Sequence, residues 1–66
     1  MDHLLTEKEV AELLKVSRRT LIRWRQLGQG PKWIDISGGR GKKPMIRYRM
    51  SDVLEFLRRN SMPRSA

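Results

Sequence analysis

A mainly α-helical fold with one small β-hairpin is what this sequence predicts, and three observations carry the expectation. Two helix-start patterns, Thr6-Glu7-Lys8-Glu9 and Ser17-Arg18, follow each other closely, each with apolar residues at helical spacing behind it. Two stretches that alternate with period two flank a glycine-rich loop, and a further helical pattern comes after them.

The first helix is expected from about Glu7 to Lys15. Thr6 and Glu9 form a capping-box pair, in which each side chain satisfies a backbone N–H that the helix start leaves without a partner. Val10, Leu13 and Leu14, with Ala11, make its apolar face, while Glu7, Lys8, Glu12 and Lys15 mostly take the other; Leu5 is placed to staple against Val10. Ser17 reads as a second N-cap, and Arg18 to Leu27 contains neither glycine nor proline. Around this second helix, Ser17, Thr20, Leu21, Trp24 and Leu27 share one side; Arg19, Ile22, Arg23 and Gln26 lie opposite, with Arg18 and Arg25 on the flank. Gly28 supplies a residue that accepts positive φ, and Gln29-Gly30-Pro31 prevents continuation.

Trp33 to Ile36 and Met45 to Arg49 read as the strands of a hairpin with Ile34, Ile36, Ile46 and Tyr48 inward and Arg47 and Arg49 outward. Its tip holds Arg40, Lys42 and Lys43 among glycines. Ser51 is expected to cap a third helix with Asp52 and Glu55 in its first turn, Arg58 and Arg59 in its last, and Val53, Phe56 and Leu57 as its buried stripe. Helix, tight turn, helix, hairpin and helix is the order of a winged helix-turn-helix. The domain is expected over residues 1–60, with a disordered tail at 61–66 that contains Pro63.

Size and composition bound the function. With 66 residues, 38% hydrophobic and 33% charged, there is material for one core. The chain has no cysteine and a single histidine, His3, so neither a disulfide framework nor a metal site can be assembled and no cofactor is expected. His3 has no catalytic partner in the sequence, and Asp35, Asp52 and Glu55 are accounted for by a turn, a cap and a helix dipole, so no enzyme is expected. Apolar runs of a few residues fall far short of the roughly 20 needed to cross a bilayer, and the first residues lack a signal-peptide pattern; a cytoplasmic protein with no membrane partner is the expectation.

Charge points further. The net charge is +8, and its distribution is uneven: four of the seven acids precede Leu13, whereas Ser17 to Arg49 holds ten bases and one acid, Asp35. An excess of this size and placement favours a polyanionic partner. Single-strand RNA readers would show aromatic residues on an exposed sheet face or a glycine clamp, and neither pattern is present. A protein-interaction adaptor, as a fragment of something larger, is a further class.

At residue level, Leu5 to Arg25, running LTEKEVAELLKVSRRTLIRWR, and Ile46 to Leu57, running IRYRMSDVLEFL, resemble the excisionase and AlpA-type regulators and, more distantly, the DNA-binding half of MerR-type regulators. The resemblance covers Leu4 to Arg59. It implies sequence-specific binding of double-stranded DNA, with the second helix in the major groove. An excisionase of a prophage or other mobile element would bend or bridge DNA so that an integrase assembles; an AlpA-like transcription regulator would occupy a promoter. MerR-type proteins dimerise through a long coiled coil, for which the residues after Arg59 offer no pattern, so a monomer filling adjacent DNA sites cooperatively is expected.

Within that frame, Arg19 and Arg23 suit bidentate contacts to guanine O6 and N7, Gln26 suits adenine, and Ile22 a thymine methyl. Ser17, Arg18 and Thr20 suit phosphate at the helix start, with N-capping as the structural alternative for Ser17; Arg25, on the flank of the helix, is expected among its DNA-binding residues. Trp24 fits core packing, with a phosphate contact through its indole N–H as the alternative. Arg40, Lys42 and Lys43 read as a wing, and Arg47 and Arg49 extend its basic surface.

Overall fold

The computed structural model describes residues 3–38 and 43–60. The order is β1 (Leu4–Thr6), α1 (Glu7–Leu14), α2 (Arg18–Gln26), β2 (Ile34–Asp35), β3 (Ile46–Arg49) and α3 (Met50–Asn60). It is a mainly helical domain with a small antiparallel sheet, a winged helix-turn-helix as the sequence predicted. Arg40 and Lys42 of the wing, and the tail at 61–66, lie outside the described residues.

The capping box closes as expected: Glu9 N–H donates to Thr6 Oγ1 at 3.1 Å, and Thr6 N–H donates to Glu9 Oε1 at 2.8 Å. The Thr6 backbone N–H is also the main reason the Glu9 carboxyl titrates below its ordinary value, with the Thr6 hydroxyl next. At the other end Lys15 takes the left-handed conformation, φ 60°, with Val16 N–H donating to Ala11 O at 3.0 Å and Lys15 N–H to Glu12 O at 3.2 Å. This is a Schellman ending built on lysine where glycine is usual, at a cost of about 1–2 kcal/mol in backbone strain. It turns the chain sharply enough for Ser17 to cap α2 three residues after α1 ends. The end of α2 repeats the motif with Gly28 at φ 73°: Gln29 N–H donates to Trp24 O at 2.7 Å and Gly28 N–H to Arg25 O at 3.3 Å.

The sheet has one strand more than the hairpin expected from sequence. β3 is central in the order β1-β3-β2 and is antiparallel to both neighbours, with Leu5 opposite Tyr48, Thr6 opposite Arg47 and Ile34 opposite Arg47. β1 is only three residues long and owes its existence to β3, which supplies its hydrogen bonds. The hairpin strands are shorter than expected, although Ile36 N–H still reaches Met45 O at 3.0 Å. Asp35 holds the hairpin at the loop: its Oδ1 accepts from Ser37 Oγ at 2.7 Å, Ser37 N–H at 2.9 Å and Met45 N–H at 3.1 Å. These bonds, the Ser37 hydroxyl first, lower the Asp35 pKa. The helix expected from a Ser51 cap begins two residues earlier: β3 runs straight into α3 at Met50, whose N–H donates to His3 O at 2.9 Å, and Ser51 lies inside the first turn.

Val10, Ala11, Leu21, Ile46, Tyr48 and Val53 form the core, so every helix and the central strand contribute to it. Leu5, Leu14, Val16 and Trp24 pack against this cluster. Four residues expected inside are out: Leu13 is 48% exposed, Leu27 62%, Ile36 46% and Leu57 41%. Leu27 and Ile36 lie one residue past the ends of α2 and β2, whereas Leu13 and Leu57 lie within their helices.

Tyr48 is 1% exposed, and its hydroxyl donates to Glu7 Oε2 at 3.3 Å. Burial, then the neighbouring Glu7 carboxylate, pushes the phenol up to about 12. In the unfolded chain it titrates near pH 10. Its contribution is therefore complete below pH 10 and is lost as pH rises through about 12. The loss amounts to about 2–3 kcal/mol at most. The chain has one tyrosine, so phenolate absorbance reads this group alone. A native midpoint well above that in denaturant is the expected result; equal midpoints would show a solvated hydroxyl.

Candidate nucleic-acid interface

The candidate surface is built by α2. Leu21 is fully buried, and Trp24 packs on the core with its ring centroid 5.8 Å from that of Phe56. Anchoring that side fixes which residues face water. Arg19, Arg23 and Gln26 are exposed on the opposite side, and Ile22 is half-buried beside them. One helical face thus brings together two guanidinium groups and a carboxamide, all donors with planar geometry suited to base edges. The packing of Trp24 favours the core role for its ring.

At the start of α2, Ser17 Oγ accepts from Thr20 N–H at 3.1 Å and donates to Thr20 Oγ1 at 2.9 Å. Ser17 is therefore a true N-cap, and Thr20 keeps a hydroxyl proton to offer outward. Ser17 and Arg18 are exposed, and Thr20 is half-buried. With Arg18 and Arg19 in the first turn, no acid lies there, and the positive end of the helix dipole adds to their charge.

Arg25 is placed differently from the other arginines of α2. Its Nε donates to Glu7 Oε2 at 2.9 Å, its side chain is 18% exposed, and its guanidinium carbon lies 5.5 Å from the centre of the Trp33 ring. It points into the body of the domain. Glu7, expected on the solvent side of α1, is its partner and is 13% exposed. The signal for this pair was present in the sequence: Glu7 stands three and four residues before Val10 and Ala11, and Arg25 four after Leu21, so both fall on packing faces.

The sheet arginines divide. Arg49 is exposed, whereas Arg47 is half-buried, donates from Nη1 to Ile46 O at 2.8 Å, and lies close enough to Glu9 to lower that carboxyl. Lys43 is exposed at the edge of the loop. Lys8 and Lys15 on the first helix and its end, Lys32 after the turn that closes α2, and Arg59 on α3 are exposed as well. Arg58 is also exposed but is paired with Glu55 at 2.6 Å.

Among protein families, the chain matches the model described as a helix-turn-helix domain over residues 4–61. The chain belongs to that family, which is the family of excisionase and AlpA-type small DNA-binding proteins. Within the helix-turn-helix family, α1 and α2 are the paired helices, and membership carries sequence-specific DNA binding as the function. Helix-turn-helix domains of this family are typically non-enzymatic. No curated protein and no solved structure matches the chain at the level of significance applied. Among the described residues, no helix is long and apolar enough to cross a membrane.

Proposed function

We propose that the protein lays α2 in the major groove of duplex DNA and acts, without catalysis, as an excisionase: a recombination directionality factor of a mobile element that shapes DNA for an integrase. One observation carries the reading. Arg19, Arg23 and Gln26 remain exposed along one face of a helix whose other face is tied down by Leu21 and Trp24. In this reading the two arginines take guanines, Gln26 an adenine, and Ile22 a thymine methyl. Ser17, Arg18 and Thr20 hold phosphate at the helix start, and Lys43 with Arg40 and Lys42 follows the backbone as a wing, with Arg47 and Arg49 behind it.

The excisionase role is supported by charge beyond α2. Lys32, Lys43, Arg49 and Arg59 are exposed on four further segments, and cations spread in this way can hold phosphates along a bent duplex. A monomer filling adjacent sites cooperatively is the form expected on DNA.

Selection from random duplexes tests the groove assignment, and energy transfer between the labelled ends of the selected duplex tests the bend. An enriched motif with a bend is the expected result. A motif without a bend favours a promoter-bound regulator of AlpA type, and no motif removes the groove reading. Affinity for the selected duplex should also fall steeply with salt, with a log–log slope of about −0.9 per phosphate engaged; a slope near zero refutes the electrostatic part.

A further inference from the structure

We propose that Glu7 and Arg25 are positioning residues: an internal clamp that sets how α2 sits on the domain, with Arg25 taking no part in DNA contact. The proposal rests on the reading of α2 as the DNA-reading helix and deepens it.

The geometry joins three segments at one carboxylate and a fourth through its arginine partner. Glu7 is the first residue of α1; its Oε2 accepts from Arg25 near the end of α2, at 2.9 Å, and from the Tyr48 hydroxyl in the central strand, at 3.3 Å. The Arg25 guanidinium carbon also lies over the ring of Trp33, just before β2, 5.5 Å from its centre. An arginine can do both at once because its edge forms hydrogen bonds while its plane stacks; a lysine ammonium has no plane to stack. The pair is largely withdrawn from water, at 18% and 13% side-chain exposure, so neither charge is screened as a surface pair would be. Burial of the phenol keeps Tyr48 a neutral donor to Glu7 across the ordinary pH range.

The clamp acts close to the reading face. Arg25 is next to Gln26 and two residues from Arg23, and the same helix carries Arg19. Leu21 and Trp24 bury one side of α2 but leave it free to roll slightly about its own axis, because apolar contacts are non-directional. A directional ion pair near the helix end removes that freedom. Small rolls matter because base-edge contacts have angular limits that phosphate contacts to flexible side chains do not.

The experiment uses three variants of the full chain. Arg25→Lys keeps the charge and loses the stacking plane. Glu7→Gln adds one positive charge to the net +8, which by electrostatics alone should strengthen binding to any duplex. The double variant Glu7→Gln, Arg25→Met keeps the net charge and leaves no buried charge alone, so it is the one best placed to fold. Each is compared with the wild-type protein on the selected duplex and on a random duplex across a salt series. The expected result is a loss of about tenfold in the ratio of the two affinities for all three variants. Random-duplex binding is expected to be no weaker, and the double variant should keep the wild-type salt slope.

A double variant whose slope is shallower by about 0.9 would show that Arg25 neutralises a phosphate, and would overturn the proposal. So would an Arg25→Lys protein with the full wild-type ratio. Amide shifts of residues 19–26 in the free Arg25→Lys protein give a DNA-independent arm: changes along α2 are expected, and none would also overturn the clamp. If the wild-type protein itself shows no sequence preference, the groove reading fails, and this last arm still decides the clamp.

Discussion

Replacing both Arg19 and Arg23 by alanine is expected to abolish recognition of the selected duplex while leaving weak binding to any sequence. Each bidentate arginine–guanine contact contributes about 1–3 kcal/mol of discrimination, so the pair contributes about 2–6 kcal/mol where the two act independently. Both side chains are exposed, so their removal leaves the core untouched and the melting temperature within a few degrees of wild type. Arg23→Ala alone should relax preference at one base position. If base preference is unchanged and only overall affinity drops, the arginines hold phosphate and another surface reads the bases. Competition titrations with single-position variants of the duplex decide between these outcomes.

Trp24→Ala should act in the opposite way, by unfolding the domain. Large-to-small changes at tryptophan cost about 3–5 kcal/mol in packed sites. At roughly 0.05–0.15 kcal/mol per residue, a domain of this length holds only about 3–10 kcal/mol in total. Trp24 packs on the core and against Phe56 of α3, its carbonyl accepts from Gln29 and Leu27, and the turn at Gly30 folds over its ring. A Cβ at Gly30 would stand 3.2 Å from Trp24 Cβ, at a backbone φ of 82° that side chains disfavour. Helix, turn and third helix therefore share one side chain, and its loss should remove DNA binding together with the fold. Circular dichroism with urea titration measures this; a cost below about 1 kcal/mol would show that Trp24 lies at the edge of the packing and not within it.

How much of this was legible beforehand depended on the range of the interaction. The Thr6–Glu9 box, the Ser17 cap, the Gly28 ending and the turn at Asp35 are contacts between residues close in sequence or across one hairpin, and each formed where it was expected. The exposed run of Arg19, Arg23 and Gln26 follows from helical periodicity once Leu21 is buried. β1 was not legible, because three residues carry no usable alternation and their strand state comes from a partner more than forty residues away. The charge of Glu7 and Arg25 argues for solvent, while their spacing from Val10, Ala11 and Leu21 argues for the packing side. On a packing face, an acid and a base can be buried together when each satisfies the other.

Local chemistry in the chain thus determined where its first two helices begin and end, that a hairpin separates the second from the third, and that one face of the second helix is cationic. Only tertiary structure decided that the hairpin gains a third strand, that Arg25 turns inward to Glu7 while Arg19 and Arg23 stay outside, and that Leu13, Leu27, Ile36 and Leu57 stay exposed. The reason is one of range. Caps, turns and periodicity are settled within a few residues, whereas strand pairing and buried ion pairs depend on which distant groups the fold brings to the same place.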